Sequence, residues 1–244
     1  MNYNILITGA SGGIGAVIAQ KFAEEEHNLI LCYNKNKHSA RETYSRCTDK
    51  GGQCLLKQCD LSCENQVKEL IEEVETQLGP INIVINNAGI AHWGLLQDMT
   101  VAEWDKLFTV NVRSCFLTCK YTLPSMIRSG FGRIINISSM WGQVGASCEV
   151  AYSASKGAVI AMTKALAKET GPSGITVNCI APGVIDTPMN AAFSPETIAE
   201  LKEETPAGRI GTPEDVASMV KYLASPEASF ITGQIIGVNG GFII

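Results

Sequence analysis

Histidine is scarce in this chain of 244 residues, and its three copies, His27, His38 and His92, all lie in the first half. Lysine and arginine form no run, and the net charge of -5 argues against a nucleic-acid partner. No apolar stretch has the length of a membrane-spanning helix, and the sequence shows no signal-peptide pattern. These absences predict a globular protein with neither a nucleic-acid nor a membrane partner.

Cysteine is present in nine copies, an odd number that is typical of reduced thiols rather than of a disulfide framework. Cys59 and Cys63 are four residues apart, as are Cys115 and Cys119, and this spacing could place two metal ligands on one helical face. No histidine stands near either pair to complete a ligand set. We therefore expect free thiols, no metal site and a cytoplasmic location.

Short apolar runs alternate with longer amphipathic stretches along the chain. The runs of strand length are residues 4–8, 28–33, 53–59, 81–86, 132–138, 175–181 and 234–238. Such runs are typical of strands buried on both faces, and their alternation with helical stretches favours a parallel sheet. The sequence predicts a single α/β domain over residues 1–244, a doubly wound parallel sheet of about seven strands with helices on both faces. Residues 186–212 are long for a connection, which indicates a substrate loop or lid.

A glycine-rich stretch, "TGASGGIG" at residues 8–15, lies between the first strand and the first helix of this pattern. Gly9, Gly13 and Gly15 permit a tight turn and a close approach of the backbone to a pyrophosphate at a helix N-terminus. Their spacing, G-x-x-x-G-x-G, differs from the G-x-G-x-x-G dinucleotide pattern. The strand-loop-helix context nevertheless favours a nucleotide cofactor over a plain glycine turn.

The same stretch also contains G-x-S-x-G, which would make Ser11 the nucleophile of an α/β-hydrolase. That mechanism needs an acidic residue and then a histidine later in the chain. All three histidines come too early, and a hydrolase would leave Tyr152 and Lys156 without a role. The cofactor interpretation is therefore favoured over the hydrolase interpretation.

Residues 138–156 contain no histidine, but they contain Ser139, Tyr152 and Lys156. Tyr152 and Lys156 are four residues apart, which places them on one face of a helix. Taken singly, they would be an ordinary buried tyrosine, a surface lysine and a turn serine. Their occurrence together, downstream of a glycine turn, favours a site for acid–base chemistry.

Six motifs, in order along nearly the whole chain, resemble those of the short-chain dehydrogenase/reductase family. They are "TGASGGIG" (8–15), "NNAG" (86–89), "NV" (111–112), "ISS" (137–139), "YSASK" (152–156) and "APGVIDTPM" (181–189), and the likeness continues through residues 208–241. The resemblance implies a Rossmann-type fold and an NADP-dependent oxidoreductase that converts a ketone to a secondary alcohol.

The resemblance also implies a catalytic set of Asn111, Ser139, Tyr152 and Lys156. Lys156 would lower the pKa of Tyr152 toward the working pH and hold the nicotinamide ribose. Tyr152 would donate a proton to the substrate oxygen, Ser139 would hydrogen-bond that oxygen, and Asn111 would position a water leading to Lys156. Ser139 is preferred to Ser138 because it stands at the family spacing from the tyrosine.

The choice of cofactor is argued from the charges after the second strand. NAD-binding chains place an acid about twenty residues past the glycine loop. Here residues 32–36 read "CYNKN", with no acid and with Lys35 available to a 2'-phosphate, although Gly12 stands where many NADP-dependent members have arginine. We expect NADP(H). The cofactor-binding residues implied by the resemblance are Gly9, Ser11, Gly12, Gly13, Ile14, Gly15, Asn34, Lys35, Asp60, Leu61, Asn87, Ala88, Gly89, Tyr152, Lys156, Pro182, Gly183, Ile185 and Thr187.

The C-terminal third most resembles 3-oxoacyl-[acyl-carrier-protein] reductases, which implies a carrier-borne ketone and acyl carrier protein as the partner. Those reductases tend to carry arginine just before "GRII" and "GITV", where this chain has Phe131 and Ser173, with Arg128 and Arg133 nearby. The net charge of -5 offers an acidic carrier no compensating attraction.

Residues 140–150, together with 91–94, instead look like a subgroup that reduces a 5-aminopentanone group on a lysine of elongation factor P. Trp93 and Trp141 would then line the substrate pocket, and Glu149 would pair with a substrate ammonium. Glu149 could equally cap the following helix near its N-terminus. Both substrates therefore stay open.

Assembly and turnover are the remaining expectations. Members of the family commonly form tetramers, so the resemblance implies a homotetramer built on the long helices expected over residues 101–128 and 151–170 and on the C-terminal strand. An NADP-binding sensor or scaffold without turnover is a different class that also stays open, although the intact serine, tyrosine and lysine argue against it.

Overall fold

A computed structural model describes residues 2–191 and 193–244. Within these residues, seven parallel strands form one sheet in the order β3-β2-β1-β4-β5-β6-β7. The strands are β1 (Asn4–Thr8), β2 (Asn28–Tyr33), β3 (Gln53–Gln58), β4 (Ile83–Asn86), β5 (Gly132–Ile137), β6 (Ile175–Pro182) and β7 (Ile235–Val238). The predicted fold class is confirmed, and every apolar run of the sequence forms a strand close to its expected bounds.

Helices connect successive strands. They are α1 (Gly13–Phe22), α2 (Lys37–Asp49), α3 (Glu64–Leu78), α4 (Val101–Phe108), α5 (Ser114–Ser129), α6 (Trp141–Val144), α7 (Val150–Thr170), α8 (Pro195–Glu204) and α9 (Pro213–Ala224). The helical stretch expected over 101–128 is interrupted by one π-helical turn, Thr109–Arg113. No helix in the described ranges has both the length and the apolar character needed to cross a membrane.

Both faces of the sheet are covered, which explains why the strands lack polar alternation. On one face, Ile5 and Ile7 of β1 belong to a core cluster with residues of α1 and α9. On the other, Leu6 belongs to a second cluster with residues of α3 and α5. Strand β1 is consequently buried at every position.

The chain changes its direction of winding at β1, which pairs in parallel with both β2 and β4. In sheets of this kind, ligands bind at the carboxyl ends of the strands beside that switch point. The long connection after β6 starts and ends at a single parallel bridge between Ile185 and Gly211. The predicted lid, residues 186–212, is therefore anchored at its two ends beside this edge of the sheet, and Ala192 within it lies outside the described residues.

Candidate active site

The glycine turn after β1 leaves space that only glycine can provide. Gly9 has a φ of 66°, and a Cβ there would lie 3.0 Å from Ala88 Cα. A Cβ on Gly15 would lie within 2.5 Å of the carbonyl oxygen of Gly9. No side chain caps the N-terminus of α1, whose N-cap residue is Gly12. A close backbone turn with an uncapped helix N-terminus fits the pyrophosphate of a dinucleotide.

Hydrogen bonds to Thr8 join the carboxyl ends of β1 and β4. The Thr8 hydroxyl accepts from the backbone N–H groups of Asn87 and Ala88 at 2.9 and 3.0 Å, and it donates to the Ile85 carbonyl at 3.2 Å. The Asn87 amide donates to the Thr8 carbonyl at 3.0 Å. Thr8 therefore fixes the switch point, a role that the sequence analysis missed although Thr8 belongs to the quoted glycine motif.

The other cofactor-binding residues predicted from the sequence lie along the same carboxyl edge. Asn34 and Lys35 follow β2 and are exposed. The Asp60 carboxylate, after β3, accepts from the Ser62 hydroxyl at 2.6 Å and from its backbone N–H at 3.0 Å. Thr187, after β6, approaches the glycine turn, since a Cβ on Gly13 would lie 3.6 Å from its side chain.

The remaining predicted cofactor residues occupy the loops at the ends of β1, β3, β4 and β6. Leu61 and Ile185 are buried, and Gly183 packs so closely on Asn239 that a Cβ would lie 2.8 Å from Asn239 Cα. The other members are Ser11, Ile14, Gly89 and Pro182. The structure thus brings the predicted cofactor residues to one edge of the sheet, and their binding of a dinucleotide stays a prediction.

Ser139, Tyr152 and Lys156 meet at the centre of that edge. Ser139 follows β5, and its side chain lies close enough to the Tyr152 hydroxyl to lower the tyrosine pKa, while its own hydroxyl accepts from the Trp141 N–H at 3.2 Å. Lys156 lies one helical turn after Tyr152 on α7, with its Nζ 5.7 Å from the centre of the tyrosine ring. All three side chains are buried, with relative exposures of 7%, 8% and 5%.

Burial sets the protonation of both ionisable groups. It raises the pKa of Tyr152 to about 12, and this shift is opposed by the nearby Ser139 side chain and reinforced by the charge of Glu149. It lowers the pKa of Lys156 to about 8. The expectation that Lys156 lowers the pKa of Tyr152 is wrong for the protein without cofactor. The reason is geometric, because the lysine Nζ donates to the Ile137 carbonyl at 2.9 Å and not to the phenol.

Asn111 lies in the π-helical turn, a feature that is frequent at functional sites. Its Oδ1 accepts from the Ile90 N–H at 2.8 Å, while its Nδ2 donates to the Ile90 carbonyl at 2.9 Å and to the Ser155 hydroxyl at 3.0 Å. A Cβ on Gly89 would lie 3.3 Å from both Asn111 Oδ1 and Lys156 Nζ. Asn111 and Lys156 therefore face the same small space, although both amide hydrogens of Asn111 are already donated to protein atoms.

The two tryptophans predicted for the substrate site each pack against a phenylalanine. Trp93 is 67% exposed and packs edge-on against Phe193 at 6.0 Å. Trp141 packs edge-on against Phe242 at 5.7 Å and also contacts the cluster that contains Tyr152. Trp141 therefore lies beside Tyr152, Trp93 contacts Phe193 of the predicted lid, and a role of either tryptophan in substrate binding stays a prediction.

Glu149 stands at the N-cap position of α7, yet its side chain makes no capping hydrogen bond. The described part of the chain offers its carboxylate no hydrogen-bond or salt-bridge partner. It is half buried, and this burial raises its pKa. The alternative in which Glu149 caps the helix through its side chain is therefore wrong, and an unpaired carboxylate lies close enough to Tyr152 to raise the tyrosine pKa.

The thiols hold no metal-binding arrangement in the described residues, where no three histidine, cysteine, aspartate or glutamate side chains cluster as ligands would. Every cysteine is free. Cys115 and Cys119, whose spacing could have suited a metal, are buried on α5, where the two thiols lie near enough to influence each other's pKa.

Comparison with known proteins gives matches over nearly the whole chain. A family profile described as enoyl-(acyl carrier protein) reductase matches residues 9–243. "Uncharacterized oxidoreductase YmfI" of Bacillus subtilis is 41% identical over 243 residues, 99% of each chain. "3-oxoacyl-[acyl-carrier-protein] reductase FabG" is 39% identical in Staphylococcus epidermidis over 99% of each chain. The protein of that name in Aquifex aeolicus is 37% identical over 97% of this chain and 95% of its own.

Proposed function

Because the chain belongs to the short-chain dehydrogenase/reductase family, whose members are oxidoreductases, we propose that it reduces a ketone to a secondary alcohol with NADPH. The proposed substrate is a 3-oxoacyl group on acyl carrier protein, as the names of several relatives state for those proteins. One observation carries the proposal most directly. The buried side chains of Ser139 and Tyr152 lie together beside Lys156, at the edge where the glycine turn lies.

Each residue of the site has a separate role in the proposed reduction. The nicotinamide cofactor, when bound, supplies the hydride for the carbonyl carbon. Tyr152 donates its phenolic proton to the carbonyl oxygen, and a pKa of about 12 keeps that proton in place until the oxygen becomes basic. Ser139 hydrogen-bonds the same oxygen, and the Lys156 ammonium stabilises the phenolate that remains. Glycine at position 89 keeps the space beside Lys156 open.

Absorbance at 340 nm tests this proposal directly. We expect NADPH oxidation with an acetoacetyl thioester and none with a crotonyl thioester, because a C=C substrate offers Tyr152 no carbonyl oxygen at the reduced carbon. NADPH oxidation with any ketone would exclude the non-catalytic sensor or scaffold. Turnover of the crotonyl thioester alone would instead support the reaction that the family description names.

NADP specificity is proposed to depend on Lys35. This lysine is exposed directly after β2, and no ion pair to it occurs in the described ranges. Lys35→Ala should weaken NADPH binding about tenfold and leave NADH binding nearly unchanged, because only NADPH carries the 2'-phosphate. Fluorescence titration gives both dissociation constants. Lys168→Ala, in the last turn of α7, is the matched control. Equal losses for the two cofactors would show that Lys35 does not contact the phosphate.

The half-buried carboxylate of Glu149 favours a second candidate, the 5-aminopentanone group on elongation factor P. Burial without a partner disfavours the charged form of Glu149. A substrate ammonium would offset that penalty, whereas a fatty acyl chain carries no charge to do so. Trp93, exposed at the opening, offers an aromatic face to the same cation. The partner would then be elongation factor P instead of acyl carrier protein.

Glu149→Gln separates the two substrates because it keeps the shape of the side chain and removes its charge. For an aminoketone, kcat/KM should fall at least about tenfold, since one partner of a partly desolvated pair is lost. For a neutral acetoacetyl thioester it should change little. Steady-state kinetics on both substrates checks this. A small, equal loss on both would remove Glu149 from the substrate site and favour the carrier-borne ketone.

Two arginines near the start of β5, Arg128 and Arg133, could bind an acidic carrier protein, but they differ in exposure. Arg128 is exposed at the end of α5 and remains available to a carrier. Arg133 is not, since it is 4% exposed and its guanidinium lies over the Phe131 ring at 4.5 Å. Of the two arginines that the sequence placed nearby, only Arg128 can contribute to docking.

We further infer a cytoplasmic homotetramer. Phe116 and Ile127 on α5 are about half exposed, and so is Tyr222 on α9. Strand β7 forms one edge of the sheet and carries apolar residues. Apolar helix faces and an apolar edge strand are surfaces that closed oligomers commonly cover.

A further inference from the structure

A pair of buried asparagines lies beneath the active site at the ends of the two central strands. Asn86 ends β4, and Asn136 stands opposite it in register on β5. The Asn86 amide donates to Asn136 Oδ1 at 2.9 Å. The side chains are 7% and 0% exposed. Buried amides of this kind need a hydrogen-bond partner for each polar atom, so the groups around them are informative.

On one side, the pair is bonded to α5. The Thr118 hydroxyl donates to Asn86 Oδ1 at 2.6 Å, and the Cys115 thiol donates to Asn136 Oδ1 at 3.2 Å. The second hydrogen of the Asn86 amide points to the sulfur of Cys119 at 3.6 Å. Two successive turns of α5 are therefore fixed to the ends of β4 and β5.

On the other side, Asn136 is bonded to α7. Its Nδ2 donates to the Thr163 hydroxyl at 2.8 Å, and that hydroxyl in turn donates to the Val159 carbonyl at 2.8 Å. Asn136 thus accepts from α5 and donates to α7 with a single side chain. Hydrogen-bonded buried networks of this kind rigidify the elements that they join.

The two helices joined in this way carry the reacting groups. Helix α5 begins directly after the π-helical turn that holds Asn111, and α7 carries Tyr152 and Lys156. The thiols of Cys115 and Cys179 lie near enough to Lys156 to influence its pKa. The network is therefore the layer directly below the lysine.

We propose that Asn136 is a positioning residue of this enzyme: its side chain holds α5 and α7 at a fixed separation, and so sets the place of Tyr152 and Lys156 relative to Asn111. The inference rests on the proposed ketone reduction for its kinetic consequence. Its structural consequence, the environment of Lys156, does not depend on which substrate the enzyme uses.

Asn136→Ala tests the proposal against a matched control, Asn178→Ala. Asn178 is equally buried on the neighbouring strand β6, and its amide also makes two hydrogen bonds, to the Ile231 carbonyl at 2.7 Å and from the Gln234 N–H at 3.1 Å. Those bonds hold the C-terminal segment rather than the catalytic helices. Both variants should lose thermal stability to a similar extent, because each leaves buried polar groups unpaired.

The kinetic readout is a split between kcat and KM. In Asn136→Ala, kcat should fall at least about tenfold, because small displacements of catalytic groups are costly, while KM and the NADPH dissociation constant stay within about twofold. Asn178→Ala should keep the kcat of the unaltered protein. Equal kcat values in the two variants would overturn the proposal, as would a loss confined to KM.

The second readout needs no turnover. Lysine labelled with carbon-13 at Cε reports each lysine pKa by NMR, and Lys156 should titrate near 8, apart from the others. In Asn136→Ala, water entering below the lysine should raise the Lys156 pKa, and in Asn178→Ala the pKa should stay in place. An unchanged Lys156 pKa in Asn136→Ala would count against the proposal even where no ketone is reduced.

Thr163→Val is the milder variant, to be used where Asn136→Ala does not fold. It removes the acceptor that Asn136 uses on α7 and nearly preserves the volume of the side chain. We expect the same direction of change in kcat and in the Lys156 pKa, with smaller amplitude. If Thr163→Val changes stability alone, the link between Asn136 and α7 has no part in positioning the lysine.

Discussion

Replacing Tyr152 with phenylalanine should reduce kcat for ketone reduction by about a hundredfold or more, since general acid catalysis typically contributes 10²–10⁴. The phenolic hydroxyl lies beside the Ser139 side chain, and its removal takes away the proton donor of the proposed reaction. Phenylalanine retains the ring contacts within the cluster that includes Trp141. Single-turnover kinetics at saturating NADPH measures the effect on the chemical step.

Two controls separate catalysis from structure in that experiment. The dissociation constant of NADPH should change little, because the glycine turn remains intact. Tyr121→Phe, on α5, removes another tyrosine hydroxyl, which donates to the Glu64 carboxylate of α3 at 2.7 Å. This variant should leave kcat unchanged. Activity of Tyr152→Phe close to that of Tyr121→Phe would exclude Tyr152 as the proton donor.

The sheet was predictable because its strands are buried on both faces. Runs such as residues 28–33 have no polar alternation after Asn28, and the structure gives β2 these same bounds. The glycine turn was predictable for a related reason, since the positive φ of Gly9 and the close contacts of Gly15 leave no room for another residue. In these segments, local sequence and tertiary environment impose the same requirement.

The interruption of the long helix was not predictable from the sequence. Residues 101–128 form a continuous helical pattern, but the turn at Thr109–Arg113 is π-helical and directs Asn111 to the Ile90 backbone. No residue in "TVNVR" requires that geometry by itself. The hydrogen bonds that favour this turn join Asn111 to Ile90, which is 21 residues away in the sequence. Tertiary hydrogen bonds of this kind leave no local periodicity.

The direction of the pKa shifts in the active site could not be predicted from the sequence either. The expectation for Tyr152 considered its charged neighbour, whereas burial has the largest influence on the pKa of both Tyr152 and Lys156. The same holds for Glu149, for which the sequence left capping and substrate binding open. The absence of a capping bond depends on side-chain geometry at the start of α7. Desolvation depends on what the whole fold places around a group, and spacing along the chain does not report it.

Burial of Lys156 has a consequence for stability. The pKa of this lysine is lowered from 10.5 to about 8, which corresponds to roughly 3 kcal/mol of free energy. Between pH 8 and 10.5 the unfolded chain binds more protons at this position than the native state does, so the contribution of Lys156 to the free energy of unfolding rises with pH. Below pH 8 the native protein carries the full cost of a desolvated ammonium.

Lys156→Met should therefore stabilise the cofactor-free protein while it abolishes most of the activity. Methionine has a similar length and no charge, but it leaves the Ile137 carbonyl without its donor. After about 1 kcal/mol for that bond, we expect the free energy of unfolding at pH 7 to rise by about 1–2 kcal/mol. Urea unfolding at pH 7 and pH 9.5 measures it, and the advantage of the variant should shrink at the higher pH.

The choice of pH window makes this result specific to the lysine. Burial raises the Tyr152 pKa to about 12, so most of the change in the contribution of Tyr152 comes above pH 10, where more than half of the phenol in the unfolded chain is ionised. Loss of activity in Lys156→Met together with a gain in stability at pH 7 would show that the buried ammonium, which catalysis needs, lowers the free energy of unfolding. A variant that is less stable at pH 7, by an amount that does not change with pH, would mean instead that the protein stabilises the charged lysine.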